Sequence, residues 1–568
     1  MRFIRRTSTA LSAAWLLIAL APGSASARSE PDTRPNVLLI VADDMGYSDL
    51  GAFGGEIETP NLDALARRGV RFTGFHTTSA CSPTRAMLLT GSDHHRIGLG
   101  TMAELLTPAQ RGADGYEGYV SSRAATLAER LSAVGYQTLM SGKWHLGQAH
   151  GQTPADRGFA HSFALLQGAA NHFGADQSEA YRTASAAPDY QRDGKAVAFP
   201  TGAYSSDYFT EQMLGLLQKT EKAKPFFAYL AFTAPHWPLQ APPDIIAKYK
   251  SRYDAGPAAL QAERLERMSK LGIIGPHVTP FPIETSEWDN ATPSEREILA
   301  RKMAIYAAMV DRLDQNVGRV LELLRSQGRL ENTLVIFMSD NGPEGLRFDR
   351  PINPAAPLEP IAAPLDNSLD NLGSATSFAT YGPMWAQVGS TPYRGTKEDM
   401  SEGGIHSPAI VAGPGVERGM LSSAFLHVTD VVPTILDISG TQTSPTIAGR
   451  AVLAPEGRSW SNLLKGEVAG LRTATDAQGW ELFFRRAIRQ GNMKAIFQPT
   501  LIPILGQVKP LSTTRWELYD LATDPGETRD LASERPDDLK RLIALWEDYA
   551  ARNGVVLPEA GAQDGTAR

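Results

Sequence analysis

The chain has 568 residues and a single cysteine, Cys81. That rules out any intrachain disulfide and leaves the lone thiol with two readings, a small buried hydrophobe or a residue kept for its chemistry. Excess positive charge is also lacking. The net charge is −7, so no overall positive field draws in nucleic acid. Beyond the N-terminus no run reaches the ~18 apolar residues of a membrane span. Internal repeats are absent. Hydrophobic residues at 42% and charged residues at 21% exclude disorder, collagen and coiled coil, and leave a soluble globular chain long enough for a large core.

The N-terminus differs from the rest. Arg2, Arg5 and Arg6 precede an apolar stretch from Ala10 to Pro22, and Ala25-Ser26-Ala27 fits a small-residue cleavage site. Residues 1–27 therefore read as a signal peptide, which makes the protein exported, periplasmic or secreted from a bacterium, with no membrane span once the signal is removed. An exported chain without disulfides must draw its stability from its core.

Asn36–Ala42, Gln137–Met140, Pro225–Phe232 and Thr333–Met338 are short apolar runs, three of them unbroken, and read as buried parallel strands. Helices fall between them. Pro60 opens one, Arg123–Val134 stops at Gly135, and Phe209–Leu217 forms another. Met303, Tyr306, Met309, Val310, Leu313, Val317, Val320, Leu321 and Leu324 recur at three- and four-residue spacing, which predicts a long amphipathic helix lying on a sheet. This alternation predicts an α/β fold with a large, mostly parallel sheet sandwiched by helices. Pro343–Pro392 is rich in Pro, Ala, Asn and Ser and reads as a long loop, functional or an insertion. Phe484–Arg489 and Met493–Gln498 flank Gly491-Asn492 as a hairpin, Trp516–Tyr519 adds a strand and Asp537–Ala551 a helix, so a small C-terminal α+β subdomain with an antiparallel sheet is expected. The expected boundaries are 35–438 for the catalytic domain and 439–558 for this subdomain.

Polar residues gather where the strands end. Asp43-Asp44, Lys143 with His145, His236 and Asp340-Asn341 each follow a predicted strand, at the edge where open α/β sheets bind ligands. Alone, each has a plain structural reading as a helix cap, a turn or a packed histidine. Together, Asp43, Asp44, Asp340 and Asn341 are hard oxygen donors suited to Ca²⁺ or Mg²⁺. Cys81 stands four residues before Arg85, a cation that would lower its pKa and make it a nucleophile. The alternative from the residues alone is an inert buried thiol. His76, His94, His95 and His172 line the pocket or serve packing.

The element Cys81-Ser82-Pro83-Thr84-Arg85 resembles the sulfatase signature, in which the cysteine is oxidised to Cα-formylglycine. The resemblance extends over almost all of the expected mature chain, through Asp43-Asp44-Met45-Gly46, Gly142-Lys143-Trp144-His145, Gly168–His172, Pro235–Pro238, Ser339–Gly342, Lys397 before Glu402-Gly403-Gly404, and Trp516–Leu521 with Asp524–Glu527. It implies an alkaline phosphatase-like fold and, in pattern, a bacterial arylsulfatase hydrolysing aryl and, where accepted, alkyl sulfate monoesters. By the same resemblance one Ca²⁺ would be held by Asp43, Asp44, Asp340, Asn341 and the modified residue 81. Arg85 would favour the nucleophilic form of that residue, and Lys143 and Lys397 would bind sulfate oxygens. His236 would protonate the leaving oxygen, and His145 would take the proton whose loss releases sulfate. A formylglycine-generating enzyme would be the maturation partner. Ile405-His406-Ser407-Pro408 departs from the family's Arg-Val-Pro type sequence. The alternatives are a phosphonate or phosphate monoester hydrolase of the same superfamily, or a non-catalytic anion- or metal-binding protein with an unmodified Cys81.

Overall fold

The structure is a computed structural model that describes residues 32–176, 188–347, 365–499 and 513–557. The expected signal peptide lies outside the described residues, as do residues 348–364 of the Pro343–Pro392 stretch.

Every residue of the strand Asn36–Ala42 is buried. It pairs in parallel with Phe226–Ala231 on one side and Thr333–Ser339 on the other. An unbroken apolar run suits this place because both faces of a central parallel strand are covered. Leu38, Ile40 and Ala42 enter one hydrophobic layer, and Val37, Leu39 and Val41 enter the other. The full sheet has ten strands in the order Met420–Ser422, Val70–Phe72, Ala409–Ala412, Thr333–Ser339, Asn36–Ala42, Phe226–Ala231, Gln137–Lys143, His161–Leu165, Tyr190–Arg192, Lys195–Val197. Ala409–Ala412 and Tyr190–Arg192 run against the others, so the sheet is mostly parallel, as expected.

The helices Pro60–Arg67, Ser205–Lys219 and Pro293–Ser326 cover one face, and Cys81–Thr90, Leu127–Ser132 and Val431–Ile438 the other. The helix Pro293–Ser326 starts well before the apolar stripe predicts. Thr292 and Glu295 form a capping box with Pro293 at the first position, and the opening turns are polar and exposed. Leu127–Ser132 is shorter than the predicted Arg123–Val134 because Thr126 and Glu129 cap it. Pro343–Pro392 is not loop throughout: Gly382–Gly389 is a helix whose Trp385 is fully buried and donates its indole N–H to the Leu299 carbonyl. Eight residues are too few to show a helical period in sequence.

The C-terminal sheet is antiparallel, with four strands rather than the expected three: Ala477–Leu482, Arg485–Gln490, Met493–Phe497 and Glu517–Asp520. Ala477–Leu482 was hidden because its inward set includes Glu481, a fully buried carboxylate. The helix Pro536–Asn553 buries Leu542, Trp546 and Tyr549 against this sheet. Trp480 donates to the Thr77 carbonyl at 2.8 Å, four residues before Cys81. The Tyr549 hydroxyl donates to Asp93 at 2.7 Å. His95 sits between Asp93 Oδ1 at 2.9 Å and Glu481 Oε2 at 2.8 Å. Burial alone would push His95 down, but its two carboxylate partners outweigh it and raise the imidazole to about 9.

This junction gives a pH prediction. A pKa raised above the unfolded value stabilises fully below about 6.5, and the contribution disappears as pH rises through about 9. In urea unfolding, His95→Gln should cost on the order of 3 kcal/mol near pH 6, and parent and variant should converge above pH 9. A difference that is independent of pH would mean the imidazolium does not carry the junction.

Candidate active site

The C-terminal edge of the parallel strands brings the predicted residues together. Asp43 and Asp44 follow Asn36–Ala42, Lys143 ends Gln137–Lys143, and Asp340 and Asn341 follow Thr333–Ser339. His236 follows Phe226–Ala231 after a short turn. Cys81 opens the buried helix Cys81–Thr90, so its thiol stands at the positive end of the helix and Arg85 lies one turn further on. Lys397 comes from a loop that packs on the Asp340-Asn341 turn. There Gly342 meets Gly403 so closely that a Cβ at 342 would lie 1.9 Å from the Gly403 carbonyl oxygen.

Cys81 Sγ lies 3.3 Å from Asp43 Oδ1 and 3.7 Å from Asp44 Oδ1. Lys143 Nζ reaches Asp43 Oδ2 at 2.7 Å, and Lys397 Nζ reaches Asp44 Oδ2 at 2.8 Å. Arg85 holds Asp340 through Nε at 2.8 Å and a terminal nitrogen at 2.7 Å. His236 Nε2 is 3.5 Å from Asp44 Oδ2, and its Nδ1 donates to the Trp237 carbonyl at 2.7 Å. His145 turns Nε2 to Glu104 at 3.2 Å.

Burial of three carboxylates governs the charges. Burial pushes Asp44 up to about 7 against the pull of Lys397, and the nearby Asp43, Glu344 and Asp340 carboxylates push the same way. Burial also raises Asp340, despite Arg85. Asp43 moves the other way: burial opposes it, but Lys143, His236 and Arg85 together hold it well below the usual range. Such a set is stabilised by a cation. Asn341 donates through Nδ2 to Asp44 Oδ1 at 2.6 Å, while its buried Oδ1 has no hydrogen-bond partner among the described residues. An orphaned amide oxygen beside three carboxylates fits a hard divalent cation such as Ca²⁺ or Mg²⁺. His236 also comes within ligand distance of Asp43, Asp44 and Cys81, which the sequence did not suggest.

One expectation fails. Arg85 and the other nearby cations do not bring the Cys81 thiol below its ordinary pKa, and Arg85 is itself paired with Asp340. Burial, with Asp340 adding to it, raises the thiol well above its ordinary value. An unmodified Cys81 is therefore a poor nucleophile.

The four ambiguous histidines fall outside this cluster. His76 is buried against Glu402 at 2.9 Å and stacks on His406. Lys494 bonds the other Glu402 oxygen at 2.7 Å and Arg489 approaches His76, so cations are already supplied there. His94 donates through Nδ1 to the Leu99 carbonyl at 2.8 Å, and His95 serves the junction above. His172 binds Ser205 Oγ at 2.7 Å and the His236 carbonyl at 3.0 Å, supporting the His236 turn from behind. Arg394, the nearest competitor of Lys397, is turned away to Glu517. Two acids escaped sequence reasoning. Glu344 pairs with Lys397 at 3.2 Å, and Glu104 meets His145. Isolated acids in aperiodic loops carry no spacing signal.

Residues 35–441 match the sulfatase family profile, and the chain belongs to that family. It is 46% identical to an uncharacterized sulfatase of Schizosaccharomyces pombe over 536 residues, 92% of this chain and 94% of that one. It is 41% identical to an arylsulfatase of Klebsiella aerogenes over 465 residues, 80% of this chain and 96% of the relative. Among solved structures, Ps i-CgsB in complex with a neocarrahexaose shares the fold with a TM-score of 0.63 at 23% identity, covering 92% of this chain and 94% of that one.

The carboxylate crowding makes metal binding measurable without substrate. Removing divalent metal should lower the melting temperature, and readdition should restore it. A ligand at about 100 times its Kd contributes about 2.7 kcal/mol. Asp340→Asn and Asn341→Ala should each reduce the metal-dependent rise. Identical melting with and without metal would show that the four oxygen donors do not form a cation site.

Proposed function

We propose that the protein is an exported arylsulfatase, periplasmic or secreted, that hydrolyses sulfate monoesters to a phenol or alcohol and sulfate. Cys81 is converted to Cα-formylglycine and Ca²⁺ is held by Asp43, Asp44, Asp340 and Asn341. The observation that carries this reading is the position of Cys81: a buried thiol at a helix N-terminus, touching two carboxylates that are each also held by a lysine. Because Cys81 is 1% exposed, a formylglycine-generating enzyme would have to reach this segment before the fold closes over it.

The hydrated aldehyde supplies an oxygen nucleophile with a second hydroxyl, and the cation supplies positive charge at the carboxylate cluster. The remaining work falls to side chains. Lys143 and Lys397, now paired with Asp43 and Asp44, offer Nζ groups to the sulfate oxygens, where charge shifts as the S–O bond breaks. His236 is fixed through Nδ1 on the Trp237 carbonyl, which leaves Nε2 to carry the proton to the leaving oxygen. Burial and Lys397 favour neutral His236 in the resting site. An anionic ester between the two favours its protonated form. His145 would be the base for the second hydroxyl that a hydrated formylglycine at residue 81 would supply, the proton transfer that sulfate release requires. Trp237 packs on Phe378, an aromatic wall beside His236 suited to an aryl group.

Two predictions test this. Cys81→Ala should lose nearly all turnover of nitrophenyl sulfate, and the tryptic peptide containing residue 81 from active protein should have the mass of the aldehyde. A free thiol in fully active protein, or faster turnover of a nitrophenyl phosphonate than of the sulfate, would refute the assignment. Secondly, His236→Ala should cost ~10²–10⁴-fold in kcat/KM for a poor leaving group and much less for nitrophenolate. Across a series of aryl sulfates the variant should depend more steeply on leaving-group pKa. Parallel lines for parent and variant would remove His236 from the acid role.

A further inference from the structure

His145, the base of the proposed release step, is held in an unusual way. Its backbone sits at φ 57, a left-handed conformation uncommon for a residue with a side chain. Its ring lies against Gly168, where an added Cβ would come within 2.5 Å of the ring Cε1, so only glycine lets the imidazole occupy this position. The two ring nitrogens differ. Nε2 faces Glu104 Oε1 at 3.2 Å. Nδ1 is buried and has no hydrogen-bond partner among the described residues. Burial lowers its pKa against the upward pull of Glu104, and Lys143 and Arg85 act in the same sense as burial, so the neutral ring is favoured. A carboxylate only accepts, so the neutral ring must carry its hydrogen on Nε2, and Nδ1 keeps a bare lone pair. Glu104 comes from a short helical turn, Ala103–Leu105, at the mouth of the site, and its side chain is 47% exposed.

We propose that Glu104 is a positioning residue that forms a carboxylate–imidazole dyad with His145, fixing the tautomer that makes Nδ1 the base for sulfate release. The proposal rests on the sulfatase reading above. In the release step the proton leaves the free hydroxyl of residue 81 for His145 Nδ1. The O–H electron pair becomes the second bond of the aldehyde carbonyl, and the bond from carbon to the sulfate oxygen breaks with its pair leaving on sulfate. His145 becomes an imidazolium with both nitrogens protonated, and Glu104 stabilises the charge that appears on it. The first half of the reaction, S–O cleavage with departure of the phenol, needs no proton at His145. Glu104 therefore acts on the second half alone.

This separation makes the proposal testable by where turnover stalls. With nitrophenyl sulfate, Glu104→Gln and Glu104→Ala should lower steady-state kcat about 10–100-fold, the range for loss of an outer-shell orienting carboxylate. Rapid mixing should then show a burst of nitrophenolate approaching one equivalent per active site. Protein quenched during turnover should carry a sulfate adduct on the peptide containing residue 81. Glu104→Asp, which keeps the charge, should recover part of the rate. A second readout needs neither substrate nor the modification. In ¹⁵N-histidine-labelled Cys81→Ala protein, with the His145 signals assigned by their loss in His145→Gln, Nε2 should be protonated and Nδ1 bare. Glu104→Ala should shift that balance towards the other tautomer. Equal slowing of burst and steady state, an unchanged kcat, or a tautomer indifferent to Glu104 would each overturn the dyad. If the parent hydrolyses no sulfate ester, the functional reading fails, while the nitrogen spectra still decide whether Glu104 sets the His145 tautomer.

Discussion

Three carboxylates and three cations, all almost without solvent, meet where the central strands end, and this buried charge balance is the constraint on which the rest of the site depends. Asp43 needs Lys143, Asp44 needs Lys397 and Asp340 needs Arg85. Removing one partner from such a pair leaves a charge that water cannot reach, at a cost of about 3–5 kcal/mol. The partners come from five separate stretches of chain, so the pairing ties those stretches together. The same balance can be rearranged. A divalent cation among the oxygen donors frees the two lysines from their aspartates, and an anionic sulfate group is the ligand they then suit. A site built this way binds its anion by exchanging partners rather than by exposing charge to solvent.

Holding these charges in register requires backbone conformations that ordinary residues avoid. Asp44, His145 and Glu398, the last adjacent to Lys397, all have positive φ. Such residues cost of order 1–3 kcal/mol each and persist only where their surroundings fix them. The surroundings are visible. The Asp44 N–H donates to Asp340 Oδ1 at 3.2 Å, and Met45 N–H to Ser339 Oγ at 2.9 Å. Beyond them Asp49 accepts from the Gly46 N–H and the Tyr306 hydroxyl, and is itself held by the buried Arg264, which also binds Glu56. The helix Gly256–Lys270 thus contributes through Arg264 to the anchoring of the Asp43-Asp44 turn.

What was legible in the sequence follows from this physics. A buried parallel strand is an apolar run, and a polar residue at its end must have a reason, so Asp43-Asp44, Lys143, His236 and Asp340-Asn341 could be picked out before any contact was known. Lys397 follows no strand and was recognisable only through resemblance to the sulfatases. Glu104 and Glu344 were invisible because one acid in an irregular loop looks like any other. The acidity of Cys81 was misjudged for a related reason. Sequence placed Arg85 near the thiol, but only the fold shows that burial and the neighbouring Asp340 carboxylate outweigh the cations there. The hidden strand Ala477–Leu482 belongs here too, since its buried Glu481 is a charge whose partner, His95, lies far away in sequence.

The small C-terminal sheet looked from sequence like a separate subdomain, but its contacts bind it to the chemistry. Trp480 caps the segment that leads into Cys81. Gln498 accepts from the Met400 N–H at 2.6 Å, and Arg485 pairs with Asp399, two residues beyond Lys397. Glu398 N–H in turn donates to the Ser79 carbonyl at 2.7 Å, joining the Lys397 loop directly to the Cys81 segment. The parallel sheet supplies the carboxylates and Lys143 from its own strand ends. It has no strand from which to present Lys397 or residue 81. Lys397 comes from a loop and residue 81 from the first turn of a helix entered through a loop, and a loop holds a side chain to within a fraction of an ångström only when something rigid stands behind it. Here that support is the antiparallel sheet, which makes it part of the active-site architecture rather than an appendage.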